Sequence, residues 1–174
     1  LQYYDKPTGR FYSYRNIPGD TTSIANNDVR SITEDENGDL WIVVHGKGVD
    51  RFDRNKKIFH HYNKENNRLS NNYAFQVLCD SKGNIWVAAV WGLSVLRKGE
   101  KNFTIYTKTD EDLNSLSDNN ILSLHEDRKG QIWIGTTNGL NRYNAENNTF
   151  TRFSKGFAST IIQVILSDRS GNIW

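Results

Sequence analysis

One short motif recurs four times and constrains this chain more than any other feature. Gly38-Asp39-Leu40-Trp41-Ile42-Val43, Gly83-Asn84-Ile85-Trp86-Val87-Ala88, Gly130-Gln131-Ile132-Trp133-Ile134-Gly135 and Gly171-Asn172-Ile173-Trp174 are copies of it, the last cut at the final residue. An Asp stands three positions before each Gly, at Asp35, Asp80, Asp127 and Asp168. The steps between the Trp residues are 45, 47 and 41. Such a period is the signature of a repeat architecture. The rest of the unit keeps the same ruler. Gly48, Gly92 and Gly139 follow three of the Trp residues, and Phe59, Phe103 and Phe150 follow those. Fourteen positions before the Trp stand Asn27, Asn72, Asn119 and Thr160. Leu1, Tyr4, Phe11 and Tyr14 fit the second half of the same unit.

Each unit holds four strand-like runs. In the third full unit they are Ile121 to His125, Gln131 to Thr136, Leu140 to Asn144 and Phe150 to Phe153. Between them lie turn-forming stretches such as Asp127-Arg128-Lys129-Gly130 and Thr137-Asn138-Gly139. The central strands are apolar on consecutive residues, as in Leu40-Trp41-Ile42-Val43-Val44, which marks a sheet buried on both faces. A four-stranded antiparallel sheet repeated every ~40–50 residues and covered on both sides is a β-propeller blade. The expected fold is therefore all-β. Residues 1–14 supply strands C and D of a first blade, and 24–62, 69–106 and 116–153 are complete blades. Residues 157–174 supply strands A and B of a last one. The polar stretches Arg15–Ser23, Asn63–Arg68, Thr107–Ser115 and Ser154–Gly156 link them. The two half-blades are complementary and could close a four-bladed ring. The expectation adopted is instead an arc of a larger ring, about seven-bladed, packed against further blades of the same chain.

Composition excludes several classes. With 22 basic and 20 acidic residues well mixed, no basic stripe points to nucleic acid. No apolar run is long enough to span a bilayer, so no membrane contact is expected of the segment itself. The single Cys79 rules out an internal disulfide. Because the chain opens on Leu1-Gln2-Tyr3-Tyr4, already inside a repeat, it is expected to be a piece of a longer protein, with any targeting signal or anchor outside it.

Leu116-Ser117-Asp118-Asn119-Asn120-Ile121, then Gly130-Gln131-Ile132-Trp133-Ile134-Gly135-Thr136, then Gly139-Leu140-Asn141-Arg142-Tyr143, resembles the two-component regulator propeller repeat, and the resemblance covers essentially the whole chain. The second blade departs most, with Ala88-Ala89-Val90-Trp91 where the family favours Gly-Thr, and the fourth opens on Phe157-Ala158-Ser159-Thr160. The resemblance implies the periplasmic sensor region of a bacterial hybrid two-component histidine kinase. It further implies a glycan-derived oligosaccharide as ligand and a homodimeric full-length sensor, with the kinase outside this segment. A protein-interaction scaffold, or a propeller lyase or glycosidase, remains open, since propellers host all of these.

Residues repeated in every unit read as structure. Trp41, Trp86, Trp133 and Trp174 read as wedges between blades, and Asp35, Asp80, Asp127 and Asp168 as acceptors for turn amides. Residues that break the repeat are the better ligand candidates, because the fold does not require them. Trp91 stands in the second B–C loop where Lys47 and Asn138 are its counterparts, and an exposed Trp there could stack on a sugar ring. His45 and Lys47 occupy the first B–C loop and could hold an anionic sugar. Asn138 is a weaker candidate, since Asn-Gly is itself a turn signal. His60 and His61 are adjacent, so on a strand they point to opposite faces and do not chelate one ion. No catalytic residue, metal ligand or cofactor motif is assigned.

Overall fold

The computed structural model describes residues 1–66 and 69–174. Asn67 and Arg68, at the end of the second linker, lie outside the described residues. Four antiparallel sheets follow one another along the chain. The first has only β1 (Gln2–Asp5) and β2 (Arg10–Ser13). Blade 1 is β3 (Val29–Glu34), β4 (Leu40–Val44), β5 (Gly48–Asp53) and β6 (Ile58–Tyr62). Blade 2 is β7 (Ala74–Cys79), β8 (Ile85–Ala89), β9 (Gly92–Leu96) and β10 (Thr104–Tyr106). Blade 3 is β11 (Ile121–Glu126), β12 (Ile132–Thr136), β13 (Gly139–Asn144) and β14 (Thr149–Phe153). Each strand pairs with the next in sequence. The first strands of neighbouring blades, β3 with β7 and β7 with β11, pack directly on each other, so the sheets fan out from a common inner edge. The molecule is an arc of a β-propeller.

Alternation along the strands explains the double burial. On β4, Trp41 and Val43 enter a core shared with Leu69, Val77, Ile85 and Val87 of blade 2, while Ile42 and Val44 join Ile24, Phe52 and Phe59 on the other face. On β8, Trp86 and Ala88 enter the next core with Leu116, Leu124, Ile134 and Tyr143. Burying an indole removes ~150–250 Å² from water, which at about 25 cal/mol/Å² is an upper estimate of roughly 4–6 kcal/mol. Trp41 and Trp86 realise this, being 3% and 1% exposed. Trp174 does not, at 74% exposed.

The inner strands carry a second repeat, invisible as apolar pattern. Pairing with the adjacent strand slips by one residue between Val29 and Ser31, between Ala74 and Gln76, and between Ile121 and Ser123. The residue after each bulge reaches the next blade. Ser31 Oγ accepts from Val77 N–H, Gln76 Oε1 from Leu124 N–H, and Ser123 Oγ donates to Ile162 O. These bonds satisfy backbone groups on edges that would otherwise be orphaned.

Residues 157–174 depart from the expected pair of strands. They make an isolated bridge between Ser167 and Ile173 and a reciprocal backbone pair between Leu166 and Trp174, without a ladder. Ile165 is buried, but Val164, Leu166 and Trp174 remain exposed, and a two-stranded unit is marginal by itself. Among the described residues no hydrogen bond or strand pairing joins 1–14 to 157–174, so the two half-blades do not close a four-bladed ring.

Candidate functional site

The two rims of the arc are built differently. On one, the turns between first and second strands repeat a single device. Oδ1 of Asp35 accepts from the amides of Asn37 and Asp39, and Oδ2 accepts from the indole Nε1–H of Trp41 at 2.9 Å. Asp80 does the same with Lys82, Asn84 and Trp86. Asp127 does so with Lys129, Gln131 and Trp133, and Asp168 with Ser170, Asn172 and Trp174. Each carboxylate therefore closes its turn and fixes the wedge in one stroke. The indole–carboxylate bond is what sequence reasoning missed, although the fixed six-residue spacing of Asp and Trp was its signal. Burial works against the charge of Asp127, but the Trp133 indole and the turn amides outweigh it and hold the carboxyl below its ordinary value. Asp168, bonded to Trp174 and Asn172, falls to about 2. A guanidinium lies over each of three indoles, Arg51 on Trp41, Arg97 on Trp86 and Arg142 on Trp133.

The opposite rim holds the loops between second and third strands, next to the linkers that start each blade. Its common element is a clasp. Asn27, Asn72 and Asn119 each accept, through Oδ1, the backbone N–H of Asn16, Lys64 and Lys108, which explains why Asn recurs fourteen residues before the Trp. A second clasp varies in residue type. Asp50, Ser94 and Asn141, all 0% exposed, accept the amides of Ala25, Ser70 and Ser117. Asp50 also meets His61 Nδ1 at 2.7 Å, and the other ring nitrogen of His61 donates to Thr21 O. His61 is thus a tether for the linker, as Arg152 is at the matching position of blade 3.

On this rim Trp91 stands out. It is 65% exposed and has φ 75°, a left-handed conformation that a bulky residue rarely adopts. It borders a concavity of about 420 Å³ lined by Val90, Lys108, Asp110, Asp118, Asn119 and Asn120. Lys108 Nζ lies 2.6 Å from Asp110 Oδ1 and holds that carboxyl below its ordinary value. Asp118 Oδ1 accepts from Asn120 N–H and Thr137 Oγ1, leaving Oδ2 without a bond among the described residues. Asn120 Oδ1 is shielded from solvent, and among the described residues no donor reaches it. An aromatic face beside amide and carboxylate groups offers both contacts that a sugar ring takes, stacking on its C–H face and hydrogen bonds to its hydroxyls.

The other ligand candidates lie on the same rim but in separate blade junctions. His45 sits edge-on to Tyr73, with ring centroids 5.5 Å apart, and Lys47 is exposed beside it. Asn138 is exposed in a two-residue turn whose amide bonds to Thr136 Oγ1. None of the three lines the Trp91 concavity. Tyr73, 54% exposed, was not singled out from sequence. Its signal is an aromatic thirteen residues before the Trp, where other units have Asp28, Asn120 and Ile161. Among the described residues, no group of three or more His, Cys, Asp or Glu could hold a metal ion. Burial pushes the Cys79 thiol up to about 11.

Residues 23–46, 68–90 and 115–138 match the family described as two component regulator propeller. Each of the three complete blades thus carries one match to that repeat. Each match runs from the linker clasp through the wedge Trp into the next loop. No match was found among curated proteins. Among solved structures, the chain is similar to the extracellular domain of the hybrid two component system BT3049 of B. thetaiotaomicron, at 23% identity and TM-score 0.73, covering 98% of this chain and 28% of that one. It is also similar to virginiamycin B lyase of Staphylococcus aureus, at 16% identity and TM-score 0.68, covering 93% and 51%. PorZ of Porphyromonas gingivalis gives 16% identity and TM-score 0.65, covering 95% and 27%. This propeller chain thus spans from about a quarter to about a half of those chains. At these identities the likeness is one of fold.

Proposed function

We propose that this arc of two component regulator propeller repeats is part of the periplasmic sensor region of a hybrid two-component histidine kinase, and that it binds a glycan-derived oligosaccharide at Trp91. The family of the repeats and the fold shared with a hybrid two component system's extracellular domain support the first part. The second rests on one observation: an exposed indole held in a left-handed backbone over a polar concavity, at a place where no other blade has an aromatic residue. A backbone strained by roughly 1–3 kcal/mol is kept where the surroundings impose it, and such positions cluster at ligand sites. The segment itself does no chemistry in this reading. Ligand docking favours one arrangement of the sensor homodimer over another, and the kinase outside the segment reads that difference. The same likeness to lyases and to a surface component is one of fold, and the site argues for binding.

The test is calorimetric titration of the chain with neutral oligosaccharide series. Trp91→Ala is expected to weaken binding about tenfold, the size of one lost aromatic stack, with the melting temperature unchanged. Equal affinity in the variant removes Trp91 from the site. If a protein partner binds the chain through Trp91 while no saccharide does, the rim is an interaction scaffold instead.

A further inference from the structure

The Trp91 site has a neighbour built on the same logic. Tyr73 opens the first strand of blade 2 directly opposite the Trp91 loop, since Val90 N–H donates to Tyr73 O at 3.0 Å. Its amide is held by Asn71 Oδ1. Its ring leans the other way, toward blade 1, where the His45 ring meets it at 73°. Gly46 lies against the same ring, where a Cβ would stand in ordinary contact, 3.7 Å from Tyr73 Cε1. Trp91 instead borders the blade 2 to blade 3 junction, with Asp118, Asn119 and Asn120 of blade 3. Two exposed aromatic rings thus crown the same blade and serve opposite junctions. Neither position is aromatic in any other unit.

We infer that Tyr73, braced by His45, is a second stacking subsite, so that the ligand is an oligosaccharide long enough to lie across the rim from the blade 1 junction to the blade 3 junction. This rests on the reading of Trp91 as a saccharide platform. Neighbouring sheets pack about 10 Å apart, a span that a single pyranose ring does not bridge. The two subsites also differ in character. Around Trp91 the polar groups are the amides of Asn119 and Asn120, the Asp118 carboxylate and the Lys108–Asp110 ion pair. Beside Tyr73 lies His45, whose backbone N–H donates to the backbone oxygen of Asp28, itself paired with Arg30. Charged groups therefore stand near both ends of the ligand, and the side-chain amides of Asn119 and Asn120 line the end over blade 3. His45 acts here as a positioning residue for Tyr73 and not as a direct ligand.

Length dependence tests the inference. Xylo-, cello- and malto-oligosaccharides from mono- to hexasaccharide are titrated against the unaltered chain, Tyr73→Ala, His45→Ala and Trp91→Ala. Affinity is expected to rise once the chain is long enough to reach both rings, and Tyr73→Ala is expected to erase that rise, a loss of about tenfold, while leaving the shortest binders unaffected. His45→Ala is expected to reproduce part of that loss, and Trp91→Ala to weaken every length. Tyr73 is exposed, so its loss should not move the melting temperature. Affinity that does not depend on length, or is unchanged by Tyr73→Ala while Trp91→Ala weakens it, overturns the second subsite alone. Affinity unchanged by Trp91→Ala, or no binding of any series by the unaltered chain, overturns the Trp91 site and this inference with it.

Discussion

The two rims of the arc solve the same problem, turning one strand into the next, in opposite ways. On the rim of the Asp–Trp turns, four units use the same residues in the same bonds. On the rim of the B–C loops, three units use three different loops: His45-Gly46-Lys47, Val90-Trp91 and Thr137-Asn138. The first rim also locks the wedges between blades, so a change there disturbs a turn, a buried indole and the blade interface together. The second rim is held by clasps set back from the loop tips, at Asn27, Asn72 and Asn119 and at Asp50, Ser94 and Asn141. With the backbone secured behind them, the loop tips are free to vary. That division is what allows a strained Trp91 to persist.

The sharpest way to break the comparison is to cut one lock in two settings. Asp80→Ala leaves the indole N–H of Trp86 and two turn amides without an acceptor inside a closed junction. At about 1–3 kcal/mol for each buried unsatisfied donor, the expected loss is roughly 3–5 kcal/mol. Asp168→Ala makes the same cut where Trp174 is open to water, and the expected loss is within about 0.5 kcal/mol. Denaturant unfolding of both variants measures the difference. Equal losses would mean that the lock acts through the turn alone and that sealing the indole adds nothing.

The fold was legible because its determinants are periodic. Trp41, Trp86 and Trp133 with their Asp partners sit at fixed offsets, and consecutive apolar residues on the central strands announce a sheet covered on both sides. Three kinds of feature were not legible. The bulges before Ser31, Gln76 and Ser123 use three polar side chains for one purpose across blades, so no residue identity repeats. The Asp50, Ser94 and Asn141 clasp likewise hides behind three residue types. The concavity at Trp91 is assembled from Lys108, Asp110 and Asp118 to Asn120, brought beside the loop by the next blade. Trp91 itself was visible because it breaks the repeat. Tyr73 breaks it equally, but at a position where the other units already differ.

A smaller effect tests whether the second rim's clasp tolerates changed chemistry. Burial keeps a proton on Asp50 more strongly than on an ordinary carboxyl, and its bonds to Ala25 N–H and His61 only partly offset this. A value raised in the folded state means that the contribution to stability is complete below the unfolded value of 3.8 and is lost as the pH climbs through the folded value. Asp50→Asn keeps an acceptor for Ala25 N–H, as Asn141 does for Ser117 N–H, and removes the titration. The variant is expected to gain on the wild type as the pH rises from about 3.5 to about 7, measured by denaturation at both ends. A constant gap between the two proteins would show that Asp50 does not titrate in this window. A gap that closes toward low pH would place the clasp among the features that the rim can exchange.

The smallest effect bears on Trp91 itself. A non-glycine residue in the left-handed region costs roughly 1–2 kcal/mol, and Asn tolerates that region better than Trp. Trp91→Asn should therefore raise stability by about 0.5–1 kcal/mol, while removing the stacking face. Its neighbour in the next blade, Asn138, carries Asn at the equivalent place without a positive φ, so substitution there gains nothing. A variant that is more stable and binds saccharide less well would mean that the second rim holds strain in exchange for a ligand contact. If Trp91→Asn lowered stability instead, the indole would be packing against the blade 3 linker, and the rim would be structural throughout.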